Sequence, residues 1–362
     1  MSWKRFVSRI KEFIKGIKPD SRVAIVCDSD PDGICSAVIV SHSLKKKGII
    51  PALVIPSGHN VEVMDGQFVT MLKKEAITHL ITTDLSFDKK KRELKRLEKF
   101  CQILVIDHHK LYNDVNSKRI ILLKPQLFQN KIDSSQYCTS KLAFDMFSEL
   151  TDLKEYDWLA VIGILADSNF RTWKKFVRKT LNRLGLKLGK HPFQNALGRI
   201  CNLMAYYEIY APGKVAKLYD ALSKAITYRH ALNSEIKKAQ KVNDEVEYYL
   251  KNYKRHSQVH GDLLLIRIKP NFKIGSIVAT RLSNKLEHTT IVIAQEMKGR
   301  MFVSARRQDF KVAVNDLLEQ SVKEIKEASA GGHIPAAGAR FPTEQYDTFS
   351  ERIIAKTRKP NN

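Results

Sequence analysis

Residues 23–33 have the sequence VAIVCDSDPDG, an apolar run that ends abruptly in three carboxylates and a glycine. β-Branched residues dominate the apolar part, which predicts a buried strand. If the strand continued, Asp28, Asp30 and Asp32 would share one face, because side chains alternate with period two. Three carboxylates there would repel one another, and a divalent cation such as Mg²⁺ or Mn²⁺ would relieve that repulsion. An acidic turn, which Asp, Pro and Gly also favour, is the alternative interpretation.

The chain is strongly basic. Its 362 residues include 62 Lys and Arg against 38 Asp and Glu, so the net charge is +24 and the isoelectric point is near 9.7. Such an excess attracts polyanions through steering and counterion release, which favours a nucleic-acid partner. Lysine-rich surfaces also serve solubility and ion-pair networks, which is the alternative reason for the charge. The length is sufficient for two domains.

The cysteines and the N-terminus indicate where the protein works. The five cysteines are scattered and form no CxxC pair, which argues against a disulfide framework or a zinc ribbon and predicts reduced thiols in a cytoplasmic protein. Residues 2–17 have the pattern of a basic amphipathic helix rather than of a signal peptide. No apolar run approaches the roughly 20 residues of a membrane helix, so we expect no membrane partner.

Strands and helices alternate through the first part of the chain. After the strand at 23–27, predicted helices at 34–47, 61–75 and 88–100 alternate with predicted strands at 49–57, 78–86 and 101–109. This alternation predicts an α/β fold with a doubly wound, mostly parallel sheet. Ligands of such sheets bind beyond the carboxyl ends of the strands. Asp28, Asp84 and His108 all lie at such ends, which indicates one site.

The middle of the chain is predicted to be helical. Helices within 135–170 deliver Asp167 at the end of an apolar segment, where it is either a helix cap or one more ligand. Residues 171–200 are basic, with Trp173 and Phe176 among the cations. This pattern is typical of a phosphate-binding surface with stacking aromatics, and equally of a solvated helix with buried aromatics.

A second domain follows a helical connector. Long polar helices are predicted over 213–252, and from residue 262 the pattern changes to strands. We therefore predict a first domain at 1–230, a connector at 231–256, and a smaller α/β domain at 257–362. The glycine-rich segment 330–342 lies in this second domain, where its residues alone indicate a tight turn.

Five motifs in this order make the chain resemble the DHH phosphoesterase superfamily, most closely its RecJ-like nuclease branch in a compact, archaeal-type form. The motifs are Asp28-Ser-Asp30-Pro-Asp32-Gly33, Asp84 in TTDLS, Asp107-His108-His109, Asp167 in GILADS, and Gly331-Gly332-His333, the last typical of a DHH-associated C-terminal domain. Val26 stands where many members that act on small substrates have a histidine. This DxDxDG form is similar to that of RecJ-type nucleases.

The resemblance implies a phosphodiesterase with two Mn²⁺ ions, with Mg²⁺ as a possible replacement. Asp84 would bridge the ions, Asp28 and Asp30 would complete one site, and the other would be completed by Asp32, His108 and Asp167. The resemblance also implies a catalytic pair. His109 would contact the phosphate or protonate the leaving oxygen. Asp107 would orient an imidazole. The implied substrate-binding residues are Arg281, Arg306, Gly331, Gly332 and His333.

Three functions are therefore open. The first is a Mn²⁺-dependent exonuclease for single-stranded DNA or RNA, acting in replication, repair or RNA turnover, and the net charge of +24 favours it. The second is a phosphodiesterase for short oligonucleotides or cyclic dinucleotides, which needs only a small pocket. The third is a component of a replication complex, associated with GINS as some members of the family are.

Overall fold

The computed structural model describes residues 1–57 and 65–357. They form two compact units, Met1–Ala239 and Gln240–Asn362. Residues 61–64 of the helix predicted at 61–75 lie outside the described residues. None of the helices described in this structure is long and apolar enough to cross a membrane.

The first unit is built on a five-stranded parallel sheet. Its strands are β1 (Val23–Cys27), β2 (Leu53–Pro56), β3 (His79–Thr83), β4 (Gln102–Ile106) and β5 (Ile120–Leu123). They are arranged in the order β2-β1-β3-β4-β5, and every neighbouring pair is parallel. The predicted α/β fold with a doubly wound parallel sheet is confirmed, and β5 is a strand that the sequence pattern did not indicate.

The α-helices in the described part of the first unit pack around this sheet. They are α1 (Trp3–Lys15), α2 (Pro31–Lys45), α3 (Gly66–Lys74), α4 (Lys91–Glu98), α5 (Thr139–Ser148), α6 (Asp157–Ala166), α7 (Phe170–Arg183), α8 (Ala196–Tyr210), α9 (Val215–Ser223) and α10 (Tyr228–Leu232). Helix α2 is buried along most of its length and packs on α5 and α6. Its apolar residues occur on all sides, as expected for a helix enclosed by other elements.

The second unit contains a six-stranded mixed sheet. Its elements are α11 (Gln240–Asn252), β6 (Ser257–His260), β7 (Leu263–Ile268), α12 (Gly275–Ser283), β8 (Thr290–Met297), β9 (Arg300–Arg306), α13 (Val314–Val322), β10 (Ser329–His333), β11 (Ala336–Pro342) and α14 (Tyr346–Thr357). The strand order is β10-β11-β9-β8-β7-β6, and only β7 and β8 are a parallel pair among these strands. The smaller α/β unit expected after the first domain is therefore present.

Helix α11 covers part of the predicted connector, and it belongs to the second unit. Its Glu245 carboxylate accepts hydrogen bonds from the backbone N–H groups of Asn271 (2.7 Å) and Phe272 (3.0 Å). The glycine-rich segment is the edge hairpin of the sheet, in which Gly331 and Gly332 lie within β10 and pair with β11.

Two glycines allow backbone segments of the first unit to approach closely. A Cβ atom at Gly33, in the first turn of α2, would lie 2.6 Å from the Asp28 carbonyl oxygen. A Cβ atom at Gly163, in α6, would overlap Ser140 Oγ and Asp32 Oδ1. Helix α6 therefore lies against the start of α5 only because residue 163 has no side chain.

Gly163→Ala tests this close approach. Because the added methyl group has no space, we expect a loss of about 1–3 kcal/mol of unfolding free energy, as is typical of overpacking. We also expect weaker Mn²⁺ binding, since Asp32 must move. Gly66→Ala is the matched control, because its Cβ would meet only the terminal guanidinium of Arg96 at 3.1 Å. Urea denaturation and Mn²⁺ titration of both variants are the measurements, and equal stability of the two would contradict the prediction.

Candidate metal centre

The register of the parallel sheet brings four charged residues to one edge. Asp28, Asp84, Asp107 and Lys124 directly follow β1, β3, β4 and β5. Each of the three aspartates still donates its backbone N–H to the neighbouring strand: Asp28 to Thr83 (3.2 Å), Asp84 to Ile106 (2.9 Å) and Asp107 to Leu123 (3.1 Å). These hydrogen bonds hold the three aspartates in adjacent positions across the sheet edge.

The end of β1 and the first turn of α2 position the three carboxylates of the first motif. Strand β1 ends at Cys27, and Asp30 caps α2 by accepting a hydrogen bond from the backbone N–H of Gly33 (2.8 Å). Asp32 is fully buried in the first turn of α2. The sequence pattern suggested that Asp28, Asp30 and Asp32 would share one face of a continued strand. The strand ends before them, so a turn and the start of α2 bring the three carboxylates together instead.

Asp32 is held by the beginning of another helix. Its two carboxylate oxygens accept hydrogen bonds from the backbone N–H groups of Thr139 (2.7 Å) and Ser140 (3.0 Å), at the N-terminus of α5. The partial positive charge of a helix N-terminus stabilises a carboxylate at this position. Neither Thr139 nor Ser140 was predicted from the sequence, because their role depends on a contact between distant segments.

Asp84 lies at the centre of the cluster. Its backbone has a φ of +63°, a conformation that aspartate tolerates better than most residues. Its Oδ1 atom accepts a hydrogen bond from Thr139 Oγ1 (2.8 Å) and lies 3.5 Å from His108 Nε2. Burial, followed by repulsion from Asp32 and Asp30, raises the pKa of the Asp84 carboxyl well above its usual value.

Asp167 and His108 form the other part of the cluster. Asp167 ends α6, and its Oδ2 atom lies 3.2 Å from His108 Nε2. This oxygen is buried and accepts no aligned hydrogen bond from the residues that the structure describes. Burial, with repulsion from Asp32 and other carboxylates of the first motif, raises the pKa of Asp167 to about 9.

These residues fit a divalent cation. One ligand atom from each of Asp32, His108 and Asp167 lies within 4.8 Å of the others, and the same holds for Asp84, His108 and His109. Ligand atoms about 2.1 Å from one ion in octahedral geometry are about 3.0 Å apart, close to the distances found at His108. A buried oxygen without a donor, and carboxyl groups with raised pKa values, are both expected where a cation is meant to bind.

His109 and Asp107 form a separate hydrogen-bonded pair. His109 Nδ1 lies 2.7 Å from Asp107 Oδ1, and this hydrogen bond raises the pKa of the imidazole. Burial alone would raise the pKa of Asp107, but His109 and the Lys124 ammonium together hold it well below its usual value. Asp107 is therefore a fixed anion that orients His109.

Lys124 was missed by the sequence analysis. Its ammonium group is fully buried, 2.7 Å from Asp107 Oδ2 and 3.0 Å from Asp88 Oδ1, and it donates a hydrogen bond to the Lys110 carbonyl (2.9 Å). The available signal was the apolar run Ile120–Leu123, a short strand that delivers Lys124 to the same edge as the aspartates.

A cavity of about 540 Å³ opens beside the two histidines. Its lining residues are His108, His109, Lys110, Leu111, Gln126, Ser134 and Ser135. Hydroxyl, amide and ammonium groups around an imidazole pair can bind the oxygens of a phosphate. The cavity therefore offers space for a small phosphorylated group next to the carboxylate cluster.

In the second unit, sheet register places His333 in line with Arg306. His333 of β10 is opposite Ala336 of β11, which in turn is opposite Arg306 of β9. Gly331 and Gly332 precede His333 on the same edge strand. These four predicted substrate-binding residues therefore occupy one corner of the second sheet.

The two predicted arginines differ in their surroundings. The Arg306 guanidinium donates hydrogen bonds to Ser276 Oγ (2.9 Å) and Thr280 Oγ1 (3.2 Å), and burial lowers its pKa. No carboxylate within the described ranges lies within ion-pair distance of it. Arg281, by contrast, lies 2.5 Å from the Glu247 carboxylate, so an anionic ligand there must compete with Glu247.

The raised pKa of Asp167 predicts how the stability of metal-free protein depends on pH. Between the unfolded pKa of 3.8 and the folded pKa of about 9, the folded state retains a proton that the unfolded state has lost. Stability must therefore fall as the pH rises from 7 to 9. We expect the midpoint temperature of thermal unfolding, measured in a chelator, to fall less for Asp167→Asn than for the wild type.

Asp20→Asn is the control, because this exposed carboxylate precedes the amino end of β1 and is outside the cluster. It should keep the wild-type pH dependence. Parallel curves for the wild type and Asp167→Asn would refute the assignment. Added Mn²⁺ should raise the midpoint more at pH 9 than at pH 7, since binding displaces protons.

Comparison with known families supports this architecture. Residues 22–164 match the DHH family, N-terminal domain, and residues 263–359 match the DHHA1 domain. A sequence comparison with curated proteins finds no match.

Several solved structures share the fold. RecJ from Thermus thermophilus in complex with Mn²⁺ has a TM-score of 0.59 and 18% identity, and the match covers 99% of this chain and 55% of that one. Exonuclease RecJ bound to manganese has a TM-score of 0.58 and 18% identity over 98% of this chain and 95% of that one. The DHH domain of a member of a ribosomal-protein family has a TM-score of 0.60 and 14% identity, covering 99% of this chain and 92% of that one.

The fold and these comparisons define the class of proteins in which a DHH domain is followed by a DHHA1 domain. The chain belongs to this DHH family, and its fold is similar to that of the RecJ structures. The resemblance based on the five motifs is thereby confirmed. The chain spans about half the length of the Thermus thermophilus RecJ structure, with 55% of that chain covered.

Proposed function

We propose that this chain is a Mn²⁺-dependent exonuclease that hydrolyses phosphodiester bonds of single-stranded DNA or RNA. The observation that carries the proposal is the arrangement of Asp32, Asp84, His108 and Asp167. Ligand atoms of Asp32, His108 and Asp167 lie within 4.8 Å of one another, and ligand atoms of Asp84, His108 and His109 form a second such set. This supports a two-metal site of the kind that the family resemblance implies.

Two of the proposed ligands share one structural support. Asp32 and Thr139 are joined by a hydrogen bond, and so are Asp84 and Thr139, so the start of α5 holds both carboxylates. His108 lies between Asp84 and Asp167, with its Nε2 atom facing both. Asp84 would be a ligand common to both ions, Asp28 and Asp30 would complete one set of ligands, and Asp32, His108 and Asp167 would complete the other. When bound, two divalent cations supply positive charge to the attacking and leaving oxygens.

His109 is the residue best placed to hold a proton near the substrate. Its side chain is 49% exposed, and Asp107 fixes its Nδ1–H and raises its pKa. The free Nε2 edge can then donate to a phosphate oxygen or to the leaving oxygen. Asp107 contacts neither a metal ion nor the substrate in this assignment, and acts by positioning His109.

Manganese suits the ligand set better than magnesium. The cluster combines carboxylate oxygens with imidazole nitrogen, whereas Mg²⁺ prefers oxygen ligands and retained waters. Two of the RecJ structures with the same fold are complexes with manganese. Magnesium remains the alternative metal.

The length of the substrate separates the two hydrolytic functions. The net charge of +24 favours a long polyanion. The cavity of about 540 Å³ beside His109 favours the alternative, a phosphodiesterase for short oligonucleotides or cyclic dinucleotides. All six expected metal ligands are present, which argues against a purely structural role in a replication complex. Association with GINS rests on the resemblance alone and stays a prediction.

Asp84→Asn and His108→Ala test the metal centre. Asparagine tolerates the positive φ at residue 84, so the fold should persist. Loss of a shared ligand should reduce hydrolysis by more than the roughly 100-fold typical of changes around metal ligands. Asp20→Asn and the exposed His191→Ala are controls and should keep full activity. Full activity of both cluster variants would disprove the two-metal assignment.

End-labelled strands from two to about forty nucleotides test the substrate length. Digestion with Mn²⁺, resolved by length, should show progressive shortening of the long strands, because a basic surface binds them beyond the site. Confinement of activity to dimers through pentamers would instead establish the short-oligonucleotide alternative. The Asp84→Asn protein serves as the blank for contaminating nucleases.

A further inference from the structure

The chain contains a long segment without acidic residues directly after a metal ligand. No Asp or Glu occurs between Asp167 and Glu208, whereas nine Lys and Arg residues do. Helix α7 begins at Phe170, three residues after Asp167. A strongly basic helix therefore starts beside the proposed metal centre.

Helix α7 has a buried face and a basic face. Val177, Thr180 and Leu181 are buried against the rest of the first unit. The opposite side carries exposed cations on both sides of a kink at Trp173, whose backbone angles are not helical. The cations after the kink, at positions 174 to 179, span about 8 Å of helix. We name the exposed cations on both sides of the kink the α7 basic face: Arg171, Lys174, Lys175, Arg178 and Lys179.

The aromatic residues of α7 are directed inward. Trp173 Nε1 donates a hydrogen bond to the Gln136 carbonyl (2.6 Å), and the Phe176 ring lies 5.5 Å from that of Phe144. The buried Lys141 ammonium lies 4.2 Å from the Trp173 ring and 4.5 Å from the Phe176 ring. These rings anchor the helix and are not positioned as a platform for bases. Of the two interpretations of residues 171–200, these contacts favour packed aromatics over stacking platforms at Trp173 and Phe176.

The cations of the α7 basic face have no acidic partners. Within residues 1–57 and 65–357, none of the five lies within 4 Å of a carboxylate, and Arg183 is the member of α7 that forms an ion pair, with Asp157. Like charges one turn apart on a helix repel one another and destabilise it. A polyanionic ligand would offset that repulsion.

We propose that the α7 basic face binds the phosphate backbone of the single-stranded nucleic acid whose reacting phosphate lies at the metal centre. This inference rests on the proposed function and specifies where that substrate runs. The contacts are to phosphates and not to bases, so binding is independent of sequence and strongly dependent on salt. It also separates long from short substrates, because a dinucleotide whose single phosphodiester group lies at the metal centre has no further internucleotide phosphate for α7 to bind.

The triple variant Lys174→Gln, Lys175→Gln and Arg178→Gln tests the surface. Binding of a labelled thirty-nucleotide strand is measured by fluorescence anisotropy in a chelator over a range of salt concentrations. Each phosphate contact contributes about 0.7 to the slope of log affinity against log salt, so three lost contacts should reduce the slope by about 2. With Mn²⁺, hydrolysis of the long strand should fall at least tenfold while that of a dinucleotide is unchanged.

The matched control neutralises three exposed lysines near the other edge of the sheet, Lys11, Lys15 and Lys18. Phe13 of the same helix packs its ring 5.3 Å from His79, the first residue of β3, which places this part of α1 at the amino edge. The control removes the same charge and should keep the wild-type slope. Equal slopes for the α7 variant and the wild type, or an equal loss in both variants, would overturn the proposal.

Lysine acetylation of the wild-type protein provides a second measurement that does not depend on a variant. The thirty-nucleotide strand should protect Lys174, Lys175 and Lys179, and leave Lys11 and Lys15 reactive. Protection of the same lysines by anionic phospholipid vesicles but not by the strand would assign the face to a membrane and refute the proposal. Since these binding experiments need no catalysis, failure of the wild type to hydrolyse any strand would count against the proposed function alone.

Discussion

Repulsion among buried carboxylates at one edge of a parallel sheet is the constraint on which the first unit depends. The register of β1, β3 and β4 forces aspartates into adjacent positions, because each follows the last residue of its strand. The start of α5 offsets part of this repulsion at Asp32 through two backbone N–H groups. Asp84 and Asp167 have no comparable support against the negative charge around them. Burial and repulsion from the neighbouring carboxylates therefore raise the pKa of both carboxyl groups. Protons or cations must supply the remaining positive charge.

Lys124 divides the carboxylates at this edge into two kinds. The hydrogen bond with His109 and the buried Lys124 ammonium, 2.7 Å away, together lower the pKa of Asp107 although burial opposes this. Asp84 has no lysine partner among the described residues, and its pKa moves in the opposite direction. A carboxylate that is already neutralised by lysine is a poor metal ligand and a good orienting group. The contacts of Asp107 with His109 and Lys124 thus explain why neighbouring aspartates are suited to different tasks.

The sequence was sufficient to predict the sheet and the site wherever the signal was local. An apolar run that ends in Asp84 or in Asp107-His108-His109 predicts a strand, and it also predicts that these polar residues lie at the carboxyl end of that strand. Strand β5 was missed because it has only four residues and no motif follows it. The contribution of Gly163 also escaped prediction, because it depends on the distance between α6 and α5, which no spacing in the sequence encodes.

The distribution of charge along the chain has a physical consequence for binding. A cluster of carboxylates repels phosphate, so the site attracts a nucleic acid only when cations outweigh the aspartates. Divalent ions would reverse the sign of the charge at the cluster when bound, and the α7 basic face begins within a few residues of Asp167. Exposed charges act over roughly a Debye length, about 8–10 Å at moderate salt, which is comparable with the length of that face. In the proposed function, attraction of the nucleic acid and metal binding would therefore be coupled through electrostatics, even where no residue contacts both.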